Sequence, residues 1–384
     1  MNKTLFISIL GTITLLVLGL WFYLIFNGTP ESTSDIFTNF SLGGNSPERP
    51  AVITEKSNDP STVVDTSSHT LNQLTTKSVA GYVAINSTSS SMVRYAERGT
   101  GYIFDIDLGT GQEERRSGTT FTRITQATFS PSGNWVLLQS DTDTELVYLT
   151  ASSTYGTAET ITEKVENVSF TDTALYYTVR TSDSTVGIRR DLVSGAQTEI
   201  FSTPLTEIDV VWSGDSAYFF NRPSALMRGS VYRLSGSTHS LLFGPEYGLF
   251  ATQLTAATWL VSTIDTEKQT YQTIVLDEAN NSQQLIAIMG LPGKCDYSEN
   301  HGLWCLGSLD LEPRPDAVHD WFVGAADSSD LIWSVDMETG EATLSEDPYE
   351  TLGYTLDGQA ATIKGTRFFF INRTNSSLWS YDLE

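Results

Sequence analysis

The sequence predicts an all-β fold, a propeller of about seven four-stranded blades preceded by one apolar helix. Three observations carry this. An apolar pulse recurs at a spacing a little over forty residues. The composition is rich in aromatic residues, Ser, Thr and Gly, with only 18% charged side chains, which suits strands and polar turns better than helices. One long uncharged run stands alone at the amino terminus.

That run, residues 5–26, reads LFISILGTITLLVLGLWFYLIF. As a helix it would span about 33 Å, enough for a hydrocarbon core of about 30 Å. Trp21 and Tyr23 lie near its outer end, where amphipathic rings favour the interface. A cleaved leader would have a shorter apolar stretch and small residues behind it; Phe26-Asn27-Gly28-Thr29-Pro30 is a poor match. With Lys3 before the run and Glu31 the first charge after it, residues 1–4 are expected in the cytoplasm and the rest outside. Residues 27–76, rich in Ser, Thr, Asn and Pro, are expected to form a flexible linker, because they hold too few large apolar groups to offset chain entropy.

Residues 77–384 carry the repeat. The stretch QATFSPSGNWVLL places Phe129 before a polar turn and an apolar burst. VENVSFTDTALYY, IDVVWSGDSAYFF, FATQLTAATWLVS and CDYSENHGLWC repeat the design, with markers at Phe170, Trp212, Leu254 and Tyr297. The steps are 41, 42, 42 and 43 residues. VAGYVAI before MVRYAE is an earlier copy, and AATIKGTRFFFIN a later one. A second series keeps the same phase: YIFDIDL, ELVYLT, GIRRDL, VYRLSG, TIVLDE, LIWSVD and LWSYDL. Each unit supplies about four short strands, and a lone four-stranded sheet cannot cover both its faces. Stacking the sheets around a centre does, which is what a period of 40–45 residues signifies. The last unit ends at its third strand, so closure requires a strand from elsewhere; Ser61–Thr66 is the expected donor.

Phe129-Ser130-Pro131-Ser132-Gly133-Asn134-Trp135 resembles the repeat core of TolB-type, WD40-like propellers, with Ser132 where that family usually has Asp. Val211-Trp212-Ser213-Gly214-Asp215 and Phe170-Thr171-Asp172 keep fragments of it. The arrangement also resembles bacterial proteins with one amino-terminal helix and an extracytoplasmic propeller. The resemblance implies the propeller fold. It carries over no partner-binding residue, because no stretch here matches one.

The chain has a net charge of −24, which argues against nucleic-acid binding and against anionic lipid headgroups. Cys295 and Cys305 fall on the first two strands of one unit, where antiparallel neighbours come within disulfide reach; two free buried thiols are the alternative. The sixth unit has a long second-to-third-strand loop, GSLDLEPRPDAVHDWFVGAADSSD. Its Asp316, His319, Asp320, Trp321 and Phe322 are candidate contact residues, unless the two aromatics simply tuck against the propeller. Arg222 and Arg228, on the corresponding loop of the fourth unit, should share that face. They could bind an acid group or pair with neighbouring carboxylates.

There is no G-x-S-x-G elbow, H-E-x-x-H, P-loop or dinucleotide fingerprint, so no catalytic residue, metal ligand or cofactor is assigned. Asp141–Glu145 lacks the glycine and terminal glutamate of an EF-hand loop. The expected role is non-catalytic: a membrane-anchored extracytoplasmic propeller that binds protein or envelope components through one face. The alternative is a surface glycan-binding propeller, or a carbohydrate-active enzyme with a carboxylate pair in the central pocket.

Overall fold

A computed structural model describes residues 62–64, 70–86, 91–149, 155–235, 238–265, 267, 270–308 and 317–383. The apolar run 5–26 lies outside these residues. Among the described residues, no helix is long and apolar enough to cross a membrane.

The chain folds into seven antiparallel sheets. Blade 1 begins with Val79–Asn86, blade 2 with Gln126–Phe129, blade 3 with Val165–Phe170 and blade 4 with Ile208–Ser213. Blades 5, 6 and 7 begin with Phe250–Gln253, Met289–Ser298 and Gly358–Lys364. Within each blade the strands pair in chain order, inner to outer. The inner strands of blades 7 and 1 touch, and Tyr82 Oη donates to the Ala360 carbonyl at 2.5 Å across that junction. The ring is therefore closed.

Closure uses a different segment from the one expected. The outer strand of blade 7 is Leu71–Thr75, paired antiparallel with Ser377–Asp382: Leu71 faces Tyr381, Asn72 faces Ser380, and Gln73 faces Trp379. This strand lies inside the stretch that composition assigned to the linker. Thr62–Val64, from the expected segment 61–66, instead adds a parallel fifth strand to blade 6 beside Ala342–Glu346. The reason is packing. An outer strand must bury one side, and Leu71 and Thr75 do so while Asn72 and Gln73 face solvent.

The hydrophobic core is divided among the seven blade junctions. Val79, Tyr95 and Phe104 of blade 1 pack on Phe369, Ile371 and Leu378 of blade 7. Trp304, Leu306 and Ile332 of blade 6 meet Phe368, Phe370 and Trp379 on the other side of blade 7. The remaining five junctions are built the same way. Cys295 and Cys305 face each other across the inner pair of strands of blade 6, and their sulfurs are bonded at 2.08 Å. Closing so short a loop contributes about 2–3 kcal/mol by loop entropy.

Four blades share one turn between their third and fourth strands. Asp107, Asp191, Asp277 and Asp336 each accept from the backbone amides two and three residues on. The fifth residue of each turn has positive φ: Gly111, Gly195, Asn281 and Gly340. These bonds favour the charged carboxyl. All four carboxyls sit below the usual carboxylate range, held chiefly by the amide three residues on and, at Asp277, by the Asn280 side chain.

Leu71→Ala should lower unfolding free energy in urea by about 2–4 kcal/mol, the cost of an emptied core site. Deleting residues 62–64 should cost less than deleting 71–75; the reverse order would contradict this closure. A depressed carboxyl stabilises the fold above its ordinary pKa of about 4 and loses that contribution as pH falls through its lowered value. Replacing the four turn aspartates by Asn should flatten the acid limb of a melting-temperature–pH profile.

Candidate functional site

The antiparallel meander fixes two ends of the ring. Second-to-third-strand turns and inter-blade connections lie at one end, here the upper face. The other turns lie at the lower face.

On the upper face, the long blade 6 loop ends in a short helix, α1 (Ala317–Phe322), and returns through residues 323–330. Trp321 holds it down. Its ring is buried with Val318, Leu291 of blade 6, and Ile264 and Tyr271 of blade 5; Ala225 and Tyr247 of blade 4 pack against the same cluster. The two loops singled out in the sequence thus meet at one place. Gly248 N, between blades 4 and 5, donates to Ser224 O at 2.8 Å and ties in the blade 4 loop.

Beneath Trp321 lies a polar network that sequence reading did not find. Lys294, 1% exposed, sits in the inner strand of blade 6. Its Nζ reaches Asp330 Oδ2 at 2.6 Å, Asp357 Oδ1 at 2.8 Å and Ser328 Oγ at 2.5 Å. The indole Nε1 of Trp321 donates to the same Asp357 oxygen at 2.8 Å. Arg373, from blade 7, donates through Nε to Asp357 Oδ2 at 2.8 Å and through Nη1 to the Trp321 carbonyl at 2.9 Å. A further bond runs from Arg373 Nη2 to the Ala326 carbonyl. Gly358 N donates to Asp330 Oδ2 at 2.7 Å. Lys294 and Arg373 also lie 4.7 Å and 5.1 Å from the Trp321 ring centroid, close enough for cation–π attraction.

Lys294, Asp330, Asp357 and Arg373 are two charges of each sign, which offsets the cost of burying them, and Arg373 also pairs with the exposed Asp327 at 2.9 Å. The two carboxyls are nonetheless unlike. Burial would raise Asp357, but Lys294 together with the Trp321 and Ser328 donors holds it below its ordinary value. Burial pushes Asp330 up, further than Lys294 pulls it down. The network fixes the loop to blades 6 and 7 at once.

The other predicted residues are placed as follows. Phe322 is 43% exposed, with its ring 4.6 Å from that of Phe250. Beside it Val323 is 62% exposed. On the blade 4 loop, Leu226 is 84% and Met227 68% exposed. Arg228 lies over the Tyr247 ring at 5.0 Å. Arg222 is exposed and acts on Asp209, whose carboxyl burial raises and Arg222 draws back. Among the described residues neither arginine forms an ion pair. His319 is exposed and its carbonyl accepts from Val323 N; the Asp320 carbonyl accepts from Ala325 N. Asp316 lies outside the described residues.

Two inner-strand carboxyls, Asp209 and Asp296, are raised chiefly by burial. The groups acting on Asp296 are backbone amides of Ile363 and Tyr297, not a second carboxylate. Among the described residues, no group of three or more His, Cys, Asp or Glu is arranged to hold a metal ion.

The fold is similar to that of oligogalacturonate lyase from Vibrio parahaemolyticus, with a TM-score of 0.57 and 10% identity over 84% of this chain and 96% of that one. It is similar to the β-propeller domain of the Trilobed protease from Pyrococcus furiosus, with a TM-score of 0.51, 10% identity, and coverage of 80% and 94%. Acylaminoacyl peptidase from Pyrococcus horikoshii matches at a TM-score of 0.52 and 10% identity, over 77% of this chain but 49% of that one. No protein-family model and no curated protein matches the chain. These likenesses show a seven-bladed propeller of a kind found in enzymes. They overturn the expectation that the chain is not an enzyme. That expectation rested on missing linear motifs, and a propeller assembles its side chains from separate blades, where no linear motif need appear.

Lys294→Met should test the network. It leaves two buried carboxyls without their ammonium, and the expected loss in urea-measured stability is about 3–5 kcal/mol. A loss under about 1 kcal/mol, the size of an exposed pair, would mean that Lys294 is not buried against them.

Proposed function

We propose that this chain is a binding propeller that takes a protein partner on its upper face, where the blade 4 and blade 6 loops meet. The observation that carries this is an exposed apolar set on anchored loops. Leu226, Met227, Phe322 and Val323 face solvent, while Trp321 and Ala225 beside them are packed into one cluster. Side chains fixed before contact lose little entropy on binding, which is what contact residues require. Among the described residues Arg222 and Arg228 edge the set without a carboxylate at ion-pair distance, so a partner segment carrying apolar and acidic side chains fits it best. In this reading the apolar run 5–26 holds the propeller on the extracytoplasmic side of a membrane, and the Phe129–Trp135 turn is a repeat core resembling that of TolB-type propellers.

Proximity labelling from the full chain in its own membrane tests the proposal. Leu226→Asp with Phe322→Ala should remove one or more labelled proteins while leaving the melting temperature unchanged. Restoring label with the native side chains at these two positions completes the test. An identical label set in wild type and variant would overturn the reading.

A further inference from the structure

The F-S-P-S-G-N-W stretch contributes nothing to the upper face. It forms the turn between the first two strands of blade 2, on the lower face, and lines a shallow cleft of about 640 Å³ between blades 2 and 3. That volume is within the usual range of small-molecule sites, about 300–1,000 Å³.

The turn behind the cleft is braced from blade 1. Arg94 forks onto Asp105 through Nε and Nη2 at 2.7 and 2.8 Å and donates from Nη1 to the Gly133 carbonyl at 2.8 Å. Gly133 has φ +71, and a Cβ there would meet Ile85 Cδ1 at 2.5 Å, so the tight turn requires glycine. Ser130 Oγ accepts from Trp135 N at 3.1 Å, and Ser132 N donates to Asp172 Oδ1, on blade 3, at 2.9 Å. The turn is thereby tied to both neighbouring blades. It sets Asn134 and Trp135 on one wall of the cleft, and Asp172 on the other.

The lining is aromatic and hydrogen-bonding, without a cation. The rings of Trp135 and Tyr148 lie 4.7 Å apart, tilted by 46°, with Tyr148 36% exposed. Leu192 and Val193 form an apolar wall, and Val193 is 91% exposed. Among the described residues, Asn134's side-chain amide, Trp135's indole N–H and Tyr148's hydroxyl take no hydrogen-bond partner, and Asp172 keeps Oδ2 free.

We propose that this cleft binds a neutral pyranose unit of a glycan. The face of an aromatic ring carries negative potential and attracts the C–H-rich face of a sugar ring. A carboxylate accepts from hydroxyls, while an amide both donates and accepts, which suits vicinal diols. No Lys or Arg lines the cleft, and Asp172 repels anions, so a uronate or phosphorylated sugar is disfavoured. An open cleft on a rim takes a terminal or exposed unit of a longer chain. This site is separate from the upper-face surface and does not depend on it.

The test is an array of neutral, amino and uronic-acid oligosaccharides probed with the detergent-solubilised full chain. Retention of at least one neutral glycan is expected. Asp172→Ala and Asn134→Ala should each weaken it about tenfold, as loss of one good hydrogen bond does. Tyr148→Ala should weaken it similarly, and Phe322→Ala should leave it unchanged. Since Trp135 packs in part against blade 3, the exposed Asn134, Tyr148 and Asp172 are the informative positions. Retention of no neutral glycan, binding confined to uronates or cationic sugars, or affinity indifferent to Asp172 and Asn134 would overturn the proposal.

Discussion

A four-stranded sheet whose faces are both apolar has no stable existence alone, and every feature of this molecule answers to that constraint. Each blade presents one face to the blade before it and one to the blade after it. The buried side chains therefore gather at seven junctions rather than in one centre. Removing any junction exposes two apolar faces at once. This is why the ring must close, and why Leu71–Thr75 is recruited from upstream to finish blade 7. It also leaves the two ends of the ring to turns, which are free to vary in length and chemistry without disturbing the core.

The upper face shows how a turn can be made rigid enough to present a surface. The blade 6 loop could have been held by apolar contacts alone. Instead a lysine, two aspartates and an arginine are brought together under a tryptophan. Burying such charges costs several kcal/mol each before pairing, so the net gain in stability is small. What the arrangement supplies is direction. Asp357 accepts from three different segments, and Trp321 is held at both ends, its indole on Asp357 and its carbonyl on Arg373. The aromatic ring is thereby positioned, and the exposed residues after it take their place from the ring.

Much of the architecture was legible because strands repeat a short pattern. Phe129, Phe170, Trp212, Leu254 and Tyr297 mark equivalent places in five units, and the Asp107, Asp191 and Asp336 turns punctuate the outer strands. The closing strand was not legible. Leu71–Thr75 reads LNQLT, which has the composition of a linker, because an outer strand buries only one side. The network was invisible for another reason. Lys294, Asp330, Asp357 and Arg373 are dispersed over two units and converge only through the blade 6–7 junction. One signal did exist: a lysine beside a glycine, in the middle of the apolar strand MGLPGKCDY, where a solvated side chain has no place. The lower-face cleft was half legible, since its turn was the best repeat motif in the chain, while Asp172 and Val193 come from a different blade.

The way the chain enters the ring has a mechanical consequence. Thr62–Val64 lies on the rim of blade 6, and Leu71–Thr75 on the rim of blade 7. Tension drawn through residue 61 is met first by a parallel ladder of three residues, and only then by the strand that completes the circle. The rim thus behaves as a fuse in two stages: a weak element yields first while the seven junctions stay shut. Only a pull strong enough to strip the second strand would open the wheel.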